Sequence, residues 1–188
     1  MAKVLAIAGS PTHPSRTYGL LSLAAQRLQQ EGIEVDIISV RDLPAEDLVF
    51  GRYDSPALVP IKEKLEKADA ILLATPVYKA SYTGLLKSFL DLLPQKALVN
   101  KAVLPLVTAG TIAHLLAIEY SLKPVLGELG ARRFVSTVYA VDQQLQRQED
   151  GSVIPDEEIK QRLEASLQEL IVILQSIGVS SKELLRVN

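Results

Sequence analysis

The first twenty residues constrain the fold more than any other stretch of the chain. Val4–Ala8 is a short, unbroken apolar run, which is typical of a parallel strand covered on both faces. Gly9 follows directly, where the lack of a side chain lets the backbone turn tightly. Hydroxyl groups and one guanidinium group come next, on Ser10, Thr12, Ser15, Arg16 and Thr17. The sequence therefore predicts a buried strand, a polar turn and a helix that begins near Ser15–Thr17.

This turn has the chemistry of a phosphate site. The first N–H groups of a helix have no partner inside the helix and are free to bind an anion. The alternative is that Ser15 or Thr17 simply caps the helix. The turn contains neither G-x-G-x-x-G nor G-x-x-x-x-G-K-[ST], the two commoner nucleotide loops. A hydroxyl-rich turn after the first strand instead suits a single terminal monophosphate, as in the flavodoxin-like fold with its flavin mononucleotide.

Composition excludes several classes of protein. A chain of 188 residues that is 48% apolar suits one domain with a substantial core. No stretch reaches the roughly 20 apolar residues of a membrane span, and no leader pattern is present, so we expect a cytoplasmic protein. The 20 basic and 22 acidic residues do not favour nucleic-acid binding. The absence of cysteine excludes disulfides and thiolate chemistry, and His13 and His114 are a poor metal-binding set, so we expect no metal.

The chain is almost free of sulfur. Met1 carries its single sulfur atom, since there is no cysteine and no second methionine. Chance, or avoidance of oxidisable and thermolabile residues, would explain this composition. A third explanation is that the protein is made when sulfur is scarce.

Apolar runs alternate with amphipathic segments along the chain, which predicts an α/β fold with a parallel sheet. The predicted strands are Val4–Ala8, Ile33–Val40, Ala70–Thr75, Ala102–Thr108 and Arg133–Val141. The predicted helices are Thr17–Glu31, Ala57–Lys67, Leu85–Leu93, Ile112–Leu129 and Asp156–Ile177. We expect one flavodoxin-like domain over residues 1–188, with a five-stranded parallel sheet in the order 2-1-3-4-5 and helices on both faces.

Three segments fall outside these elements. Arg41–Pro56 reads as a mixed, partly acidic connection. In Asp142–Pro155, the Asp150–Gly151 pair is a turn signal that would close a small hairpin flap. The tail, Gly178–Asn188, carries a few apolar residues and is expected to dock on the rest of the protein.

Ligands of such sheets bind beyond the carboxyl ends of the strands. This rule selects a first loop (Gly9–Thr17), a second loop (Thr75–Thr83) and a third loop (Thr108–His114). In the second loop, Pro76 keeps its predecessor extended, so backbone N–H groups there would face a flat heterocycle. Tyr78 would lie against an aromatic ring. The alternative is that Tyr78 is a half-buried loop aromatic and that the loop carries no ligand.

Three blocks of the sequence carry a resemblance to a known family. They are IAGSPTHPSRT, ATPVYKASYTGLLKSFLDLLP and LPLVTAGTIAHLLAIEYSLKPVLGELGA. They closely resemble the NADPH-dependent FMN reductases, and within that family they look most like the reductase of the alkanesulfonate monooxygenase system. The resemblance extends over nearly the whole chain to about residue 140, and the segment beyond it is less telling.

The resemblance implies roles for specific residues. Those that would bind the FMN phosphate are Ser10, Ser15, Arg16 and Thr17. Those that would bind the isoalloxazine ring are Pro76, Val77, Tyr78 and Lys79, with Thr108, Ala109, Gly110 and Thr111 at its other edge. Ala109 departs from the glycine expected in relatives, and its methyl group puts the fit of the third loop against the flavin in question.

The resemblance also implies that Tyr120 lies at a π-type bulge in the fourth helix, at a subunit interface. Pro124 supplies a physical reason, because it cannot donate to the carbonyl of Tyr120 and would clash with it. A widened turn relieves this conflict, and a simple proline kink is the alternative.

The function implied is reduction of FMN by NADPH, with release of reduced FMN to a flavin-dependent monooxygenase, in alkanesulfonate desulfonation under sulfur limitation. The flavin carries the chemistry, so no catalytic acid or base is expected. The assembly is expected to be a homodimer or a homotetramer. Two alternatives remain. One is a quinone, azo or chromate reductase on the same fold, and the other is a flavodoxin-like electron carrier. The preference for NADPH rests on the resemblance alone, because Arg16 and Lys79 are already assigned to the flavin.

Overall fold

A parallel β-sheet with helices on both faces forms the centre of the molecule. The computed structural model describes the backbone of residues 1–184 and the side chains of residues 1–176. The strands are β1 (Lys3–Ala8), β2 (Glu34–Ser39), β3 (Ala70–Tyr78), β4 (Ser81–Tyr82), β5 (Ala102–Ala109), β6 (Arg133–Phe134), β7 (Val138–Val141), β8 (Leu145–Arg147) and β9 (Val153–Pro155). The α-helices are α1 (Arg16–Gln30), α2 (Ala45–Val49), α3 (Val59–Lys67), α4 (Gly84–Leu90), α5 (Lys123–Glu128) and α6 (Glu157–Leu184).

The strand order confirms the predicted topology. The parallel strands lie in the order β2-β1-β3-β5-β6. Numbered as the five predicted strands, in which β5 is the fourth and β6 the fifth, this is the order 2-1-3-4-5. The predicted fifth strand is divided into β6 and β7, which both pair with β5, through Ala102 with Arg133 and Leu106 with Val138. Together with β4, which pairs antiparallel with β3, this makes a sheet of seven strands rather than five.

Alternation along the buried strands separates two apolar layers. In β1, Val4, Ala6 and Ala8 pack on the side of α1 and α6. Leu5 and Ile7 face the opposite layer, which contains residues of α3, α4 and α5. Successive side chains of a strand point to opposite faces, so a strand covered on both sides must be apolar throughout.

Several predicted boundaries are wrong. The strand predicted over Ala70–Thr75 continues to Tyr78, because Pro76 pairs with Thr108 of β5 and Tyr78 pairs with Ser81 of β4. Helix α4 begins at Gly84 and ends at Leu90 rather than Leu93. The connection over residues 41–56 contains the short helix α2.

The long helix predicted over Ile112–Leu129 is divided. It consists of a 3₁₀ turn (Ile112–His114), a π-helix (Ile118–Leu122) and α5. The hairpin predicted within Asp142–Pro155 is present, since β8 and β9 pair antiparallel around a turn that includes Gly151.

Helix α6 runs to Leu184, beyond the predicted end at Ile177. The docking expected of the tail falls outside the described side chains. Within residues 1–184, no helix combines the length and the apolar character needed to cross a membrane.

Candidate functional site

The three predicted loops meet at the carboxyl edge of the sheet. Between them lies a cleft of about 210 Å³. The residues that line it are Ser10, Thr12, Pro14, Ser15, Arg16, Thr17, Pro76, Val77, Tyr78, Thr108, Ala109, Gly110, Asp142 and Arg147. The cleft therefore unites ten of the twelve residues that the sequence analysis assigns to flavin binding.

The first loop ends in a capped helix. Ser15 is extended, and its hydroxyl accepts a hydrogen bond from the N–H of Tyr18 at 3.1 Å. Ser15 is thus an N-cap, the alternative considered for this residue. This cap satisfies one N–H group of the first turn, and those of Arg16 and Thr17 precede it at the same end of α1. The capped helix and an anion site at its N-terminus are therefore compatible.

Arg16 connects the first loop to the β8–β9 hairpin. Its Nε donates to the carbonyl of Leu145 at 3.0 Å, across 129 positions of sequence. One nitrogen of the guanidinium is used in this way, and Arg16 is among the residues that line the cleft. Arg16 therefore joins the first loop to the hairpin, a role that its position in the sequence does not indicate.

The second loop is a tight β-hairpin rather than an open loop. Val77 pairs with Tyr82 and Tyr78 with Ser81. Lys79 and Ala80 form the turn with positive φ angles of 49° and 62°. Tyr78 is 47% exposed and lines the cleft. Lys79 lies in the turn beyond the strand and does not line the cleft.

The third loop brings backbone rather than side chains to the cleft. Thr108 and Ala109 are buried, and a methyl group placed on Gly110 would meet no atom within 4 Å. Thr111 does not line the cleft. Its hydroxyl caps the following 3₁₀ turn by accepting from the N–H of Ala113.

A tyrosine that the sequence analysis missed holds this loop. The hydroxyl of Tyr139 donates to the carbonyl of Thr111 at 2.7 Å. Tyr139 is 2% exposed, and burial raises its pKa, so it remains a protonated donor at neutral pH. Nothing near Tyr139 in the sequence indicates this contact, because its partner lies 28 residues earlier.

Buried threonines link the three loops. Thr17 of the first loop and Thr108 of the third share a hydrogen bond of 2.6 Å between their hydroxyls. Thr83, at the end of the second loop, donates to the carbonyl of Gly9 at 2.6 Å and accepts from the N–H of Leu86. Its own N–H donates to the hydroxyl of Thr75 at 3.3 Å. These bonds fix the spacing of the loops without placing a charge in the core.

The donor set fits a flavin mononucleotide. One end of the cleft offers hydroxyls, a guanidinium and a helix N-terminus, which suit a phosphate. The other end offers an exposed aromatic ring, a proline and the open space at Gly110, which suit a flat heterocycle. Ala109 is buried in the same apolar layer as Val107 and Tyr139 and also lines the cleft, so the effect of its methyl group on the fit of the flavin stays a prediction.

Two charged residues of the cleft were not anticipated. Asp142 follows β7 and Arg147 ends β8, and both line the cleft beside the first loop. In the sequence, this segment predicts a hairpin flap and shows no sign of a role in binding. Only the folding of that hairpin against α1 brings its charges to the cleft.

The irregular helix has the predicted widened turn. Residues 118–122 form a π-helix, and the N–H of Lys123 donates to the carbonyl of Ile118, five positions earlier. Pro124 comes directly after this turn, so the structure favours the π-type bulge over a simple kink. Tyr120 is 80% exposed within it.

Comparison with known proteins agrees with this geometry. The family model described as NADPH-dependent FMN reductase matches residues 2–146. FMN reductase (NADPH) of Escherichia coli K12 is 49% identical over 143 residues, which cover 76% of this chain and 75% of that protein. FMN reductase (NADPH) of Pseudomonas putida is 48% identical over 142 residues, covering 76% of this chain and 72% of that protein.

A solved structure extends the likeness to the fold. The apo form of the NADH:FMN oxidoreductase EMOB has a TM-score of 0.80 and 36% identity, and the match covers 94% of this chain and 90% of that one. The likeness in fold and the sequence match lead to the same family. The chain belongs to the NADPH-dependent FMN reductase family.

Proposed function

We propose that this protein uses NADPH to reduce FMN and passes the reduced flavin to a separate flavin-dependent monooxygenase. The observation that carries the proposal is the convergence of the three loops on one cleft that lies at the carboxyl edge of the sheet. The cleft has phosphate-binding groups at one end and an aromatic side chain at the other, which matches the two ends of FMN. Within the cleft, no acid or base is needed for hydride transfer.

The phosphate of FMN would bind to the first loop. Its ligands would be the hydroxyls of Ser10, Ser15 and Thr17, the guanidinium of Arg16 and the N-terminus of α1. Ser10 and Thr17 are only 3% and 2% exposed, so their hydroxyls are held in place before the ligand arrives. Such preorganisation lowers the entropic cost of binding.

The ring of FMN would lie between the second and third loops. Pro76, Val77 and Tyr78 would contact one edge, and Thr108–Gly110 the other. Bound FMN supplies the hydride-accepting chemistry. The residues around it orient the ring, and their backbone N–H groups stabilise negative charge that develops on it. Lys79 and Thr111, which do not line the cleft, would act only by shaping the two loops.

Several features support release to a monooxygenase of alkanesulfonate desulfonation. The three sequence blocks resemble the reductase of that system. The chain carries one sulfur atom in 188 residues, which suits a protein made under sulfur limitation. Tyr78 is 47% exposed, so the ring site is open and allows the flavin to leave. We place this reaction in the cytoplasm, where NADPH is maintained.

We also infer that the protein acts as a homodimer or homotetramer of one flavin reductase domain per chain. Four large apolar side chains on the irregular helix are exposed, and they are Ile112, Leu115, Leu116 and Tyr120. An exposed apolar surface of this kind is typical of a protein–protein contact.

Steady-state oxidation of NADPH with FMN, riboflavin and menadione as acceptors tests the proposal. We expect turnover with free FMN, and reduced flavin that supports a monooxygenase across a dialysis membrane. Strong activity with menadione and almost none with FMN would instead identify a quinone reductase. Retention of the flavin through desalting, with no turnover of free FMN, would indicate an electron carrier.

A further inference from the structure

Arg147 is a positively charged residue of the cleft, and the proposed binding of FMN gives it no role. It ends strand β8, is exposed, and lines the cleft together with Arg16. Among the side chains of residues 1–176, no carboxylate forms an ion pair with it. An arginine at the edge of a ligand cleft is therefore available to an anion.

The hairpin that carries Arg147 is fixed against the first loop. The carbonyl of Leu145 accepts from Arg16, and Leu145 itself is 1% exposed. On the opposite strand, Val153 packs against α1 so closely that a methyl group on Gly19 would lie 2.5 Å from its Cγ1. These two contacts therefore hold strand β8 in place against the first loop.

The strand register places Arg147 on the same face of β8 as the buried Leu145. Arg147 pairs with Val153 and lies two residues after Leu145, and residues i and i+2 of a strand share a face. Gln146, between them, belongs to the opposite face. The position of Arg147 thus follows from the packing of Leu145 and Val153 rather than from the flexibility of a surface loop.

The charges of the cleft favour a phosphomonoester. Arg16 and Arg147 contribute two guanidinium groups, and Asp142 is the one carboxylate among the residues that line the cleft. Guanidinium groups bind phosphate through paired hydrogen bonds, and the two arginines outweigh the single carboxylate of Asp142, which leaves the cleft net positive. Ser10, Thr12 and Ser15, which carry neutral hydroxyls, line the same cleft.

We propose that Arg147 is a phosphate-binding residue that acts with Arg16 on a terminal phosphomonoester. The inference rests on the proposed function, which supplies two such groups: the 5′-phosphate of FMN and the 2′-phosphate of NADPH. Arg147 would make the enzyme distinguish a phosphorylated ligand from its unphosphorylated counterpart. The hairpin would then be part of the ligand site rather than only a cover.

The test measures binding of matched ligand pairs to three variants. Arg147→Gln removes the charge, Arg147→Lys keeps it without the paired donors, and Arg133→Gln is the matched control. Arg133 is an exposed arginine that pairs with Ala102 at the opposite end of the sheet. Quenching of flavin fluorescence gives the dissociation constants of FMN and riboflavin, and calorimetry gives those of NADP⁺ and NAD⁺.

Each ligand pair gives a ratio, the affinity for the phosphorylated ligand divided by the affinity for its unphosphorylated counterpart. For Arg147→Gln we expect one of these two ratios to fall about tenfold, which is the scale of a charged hydrogen bond. A fall in the FMN-to-riboflavin ratio identifies the 5′-phosphate, and a fall in the NADP⁺-to-NAD⁺ ratio identifies the 2′-phosphate. Arg147→Lys should retain part of the preference, and Arg133→Gln all of it. A ratio within one variant is unaffected by any loss of folded protein.

Ratios in Arg147→Gln that match those of the parent for both ligand pairs would overturn the inference. Equal falls in Arg147→Gln and Arg133→Gln would also overturn it, because they would show a general effect of net charge. The proposed function is judged separately, by whether the parent protein itself reduces FMN with NADPH. A parent that reduces FMN while Arg147→Gln keeps both ratios leaves the proposed function intact.

Discussion

At the scale of single residues, neutral hydroxyls organise the cleft. Thr83 shows how much one side chain does, because its hydroxyl caps α4 and also donates to the carbonyl of Gly9. Thr83 is 1% exposed, so neither bond competes with bulk water. A buried acceptor that loses its donor has no substitute, which makes this position sensitive to the loss of one oxygen atom.

Thr83→Val should lower the free energy of unfolding by about 1–3 kcal/mol, because it removes the cap and leaves the carbonyl of Gly9 unpaired. It should also weaken FMN binding, since the first two loops lose their link. Urea unfolding and a flavin titration measure the two effects, and Thr83→Ser should restore both in large part.

Thr137→Val is the matched control for this substitution. The hydroxyl of Thr137 is buried and has no hydrogen-bond partner among the described residues, so its replacement should be neutral or stabilising. Equal losses of stability in Thr83→Val and Thr137→Val would contradict the role given to Thr83.

Tyr139→Phe should release the third loop while leaving the core filled. We expect weaker FMN binding and a loss of about 0.5–1.5 kcal/mol of stability from the missing bond to Thr111. Burial raises the pKa of Tyr139, so the unfolded chain ionises first as the pH rises. The contribution of Tyr139 to the free energy of unfolding should therefore be level below about pH 10 and fall above it.

Urea titrations at several pH values measure this dependence. Tyr139→Phe should show a smaller decline above pH 10 than the parent, because one shifted group is gone. The decline should not vanish, since burial also raises the pKa of Tyr82. An identical alkaline profile in both proteins would show that Tyr139 does not contribute.

At the scale of elements, the π-helix over residues 118–122 is the clearest departure from regular geometry. A π-turn holds one more residue than an α-turn, and that residue pushes its neighbours outward. Tyr120 is highly exposed there, next to the apolar side chains of Leu115 and Leu116. The irregular turn therefore produces an apolar surface that a straight helix would arrange differently.

Deleting Tyr120 should return this segment to α-helical spacing, and Tyr120→Ala should keep the turn but remove the ring. We expect both changes to alter the oligomeric state and the retention of flavin. Sedimentation velocity and desalting of the flavin-loaded protein measure these properties. Tyr53→Ala removes an equally exposed ring elsewhere, at 71% exposure, and should change neither. If both Tyr120 variants sedimented and retained flavin as the parent does, the proposed role of Tyr120 in oligomerisation and flavin retention would be wrong.

At the scale of the whole molecule, the cleft exists because parallel strands end at one edge. The first loop follows β1, while the second and third loops begin in the last residues of β3 and β5, and these strands are neighbours in the sheet. Segments that are far apart in sequence therefore act on one ligand. The hairpin adds a fourth segment through the bond from Arg16 to Leu145.

Ser10→Ala combined with Arg16→Ala should raise the dissociation constant of FMN about 100-fold, as the loss of one neutral and one charged donor implies. Riboflavin binding should change much less, because riboflavin has no phosphate. Fluorescence titration of both ligands tests this. A doubly substituted protein that bound FMN as tightly as its parent would contradict the cleft as the flavin site.

Much of this architecture could be predicted from local patterns. Apolar runs predicted the strands, the flavodoxin-like fold assignment predicted their order, and Asp150–Gly151 predicted the hairpin. The extension of β3 to Tyr78 could not be foreseen, because it depends on pairing with Ser81 and on the register of Pro76 against Thr108. The break in the helix before α5 was visible only in part, through Pro124.

The sequence by itself determined the alternation of strands and helices and the chemistry of the first loop, because both depend on residues that are close neighbours in the chain. Only the tertiary structure decided that Tyr139 holds the third loop, that Thr17 meets Thr108, and that Arg147 joins the cleft. Those contacts join distant segments. They arise when buried strands and a packed hairpin fix the distances between groups that no local pattern relates.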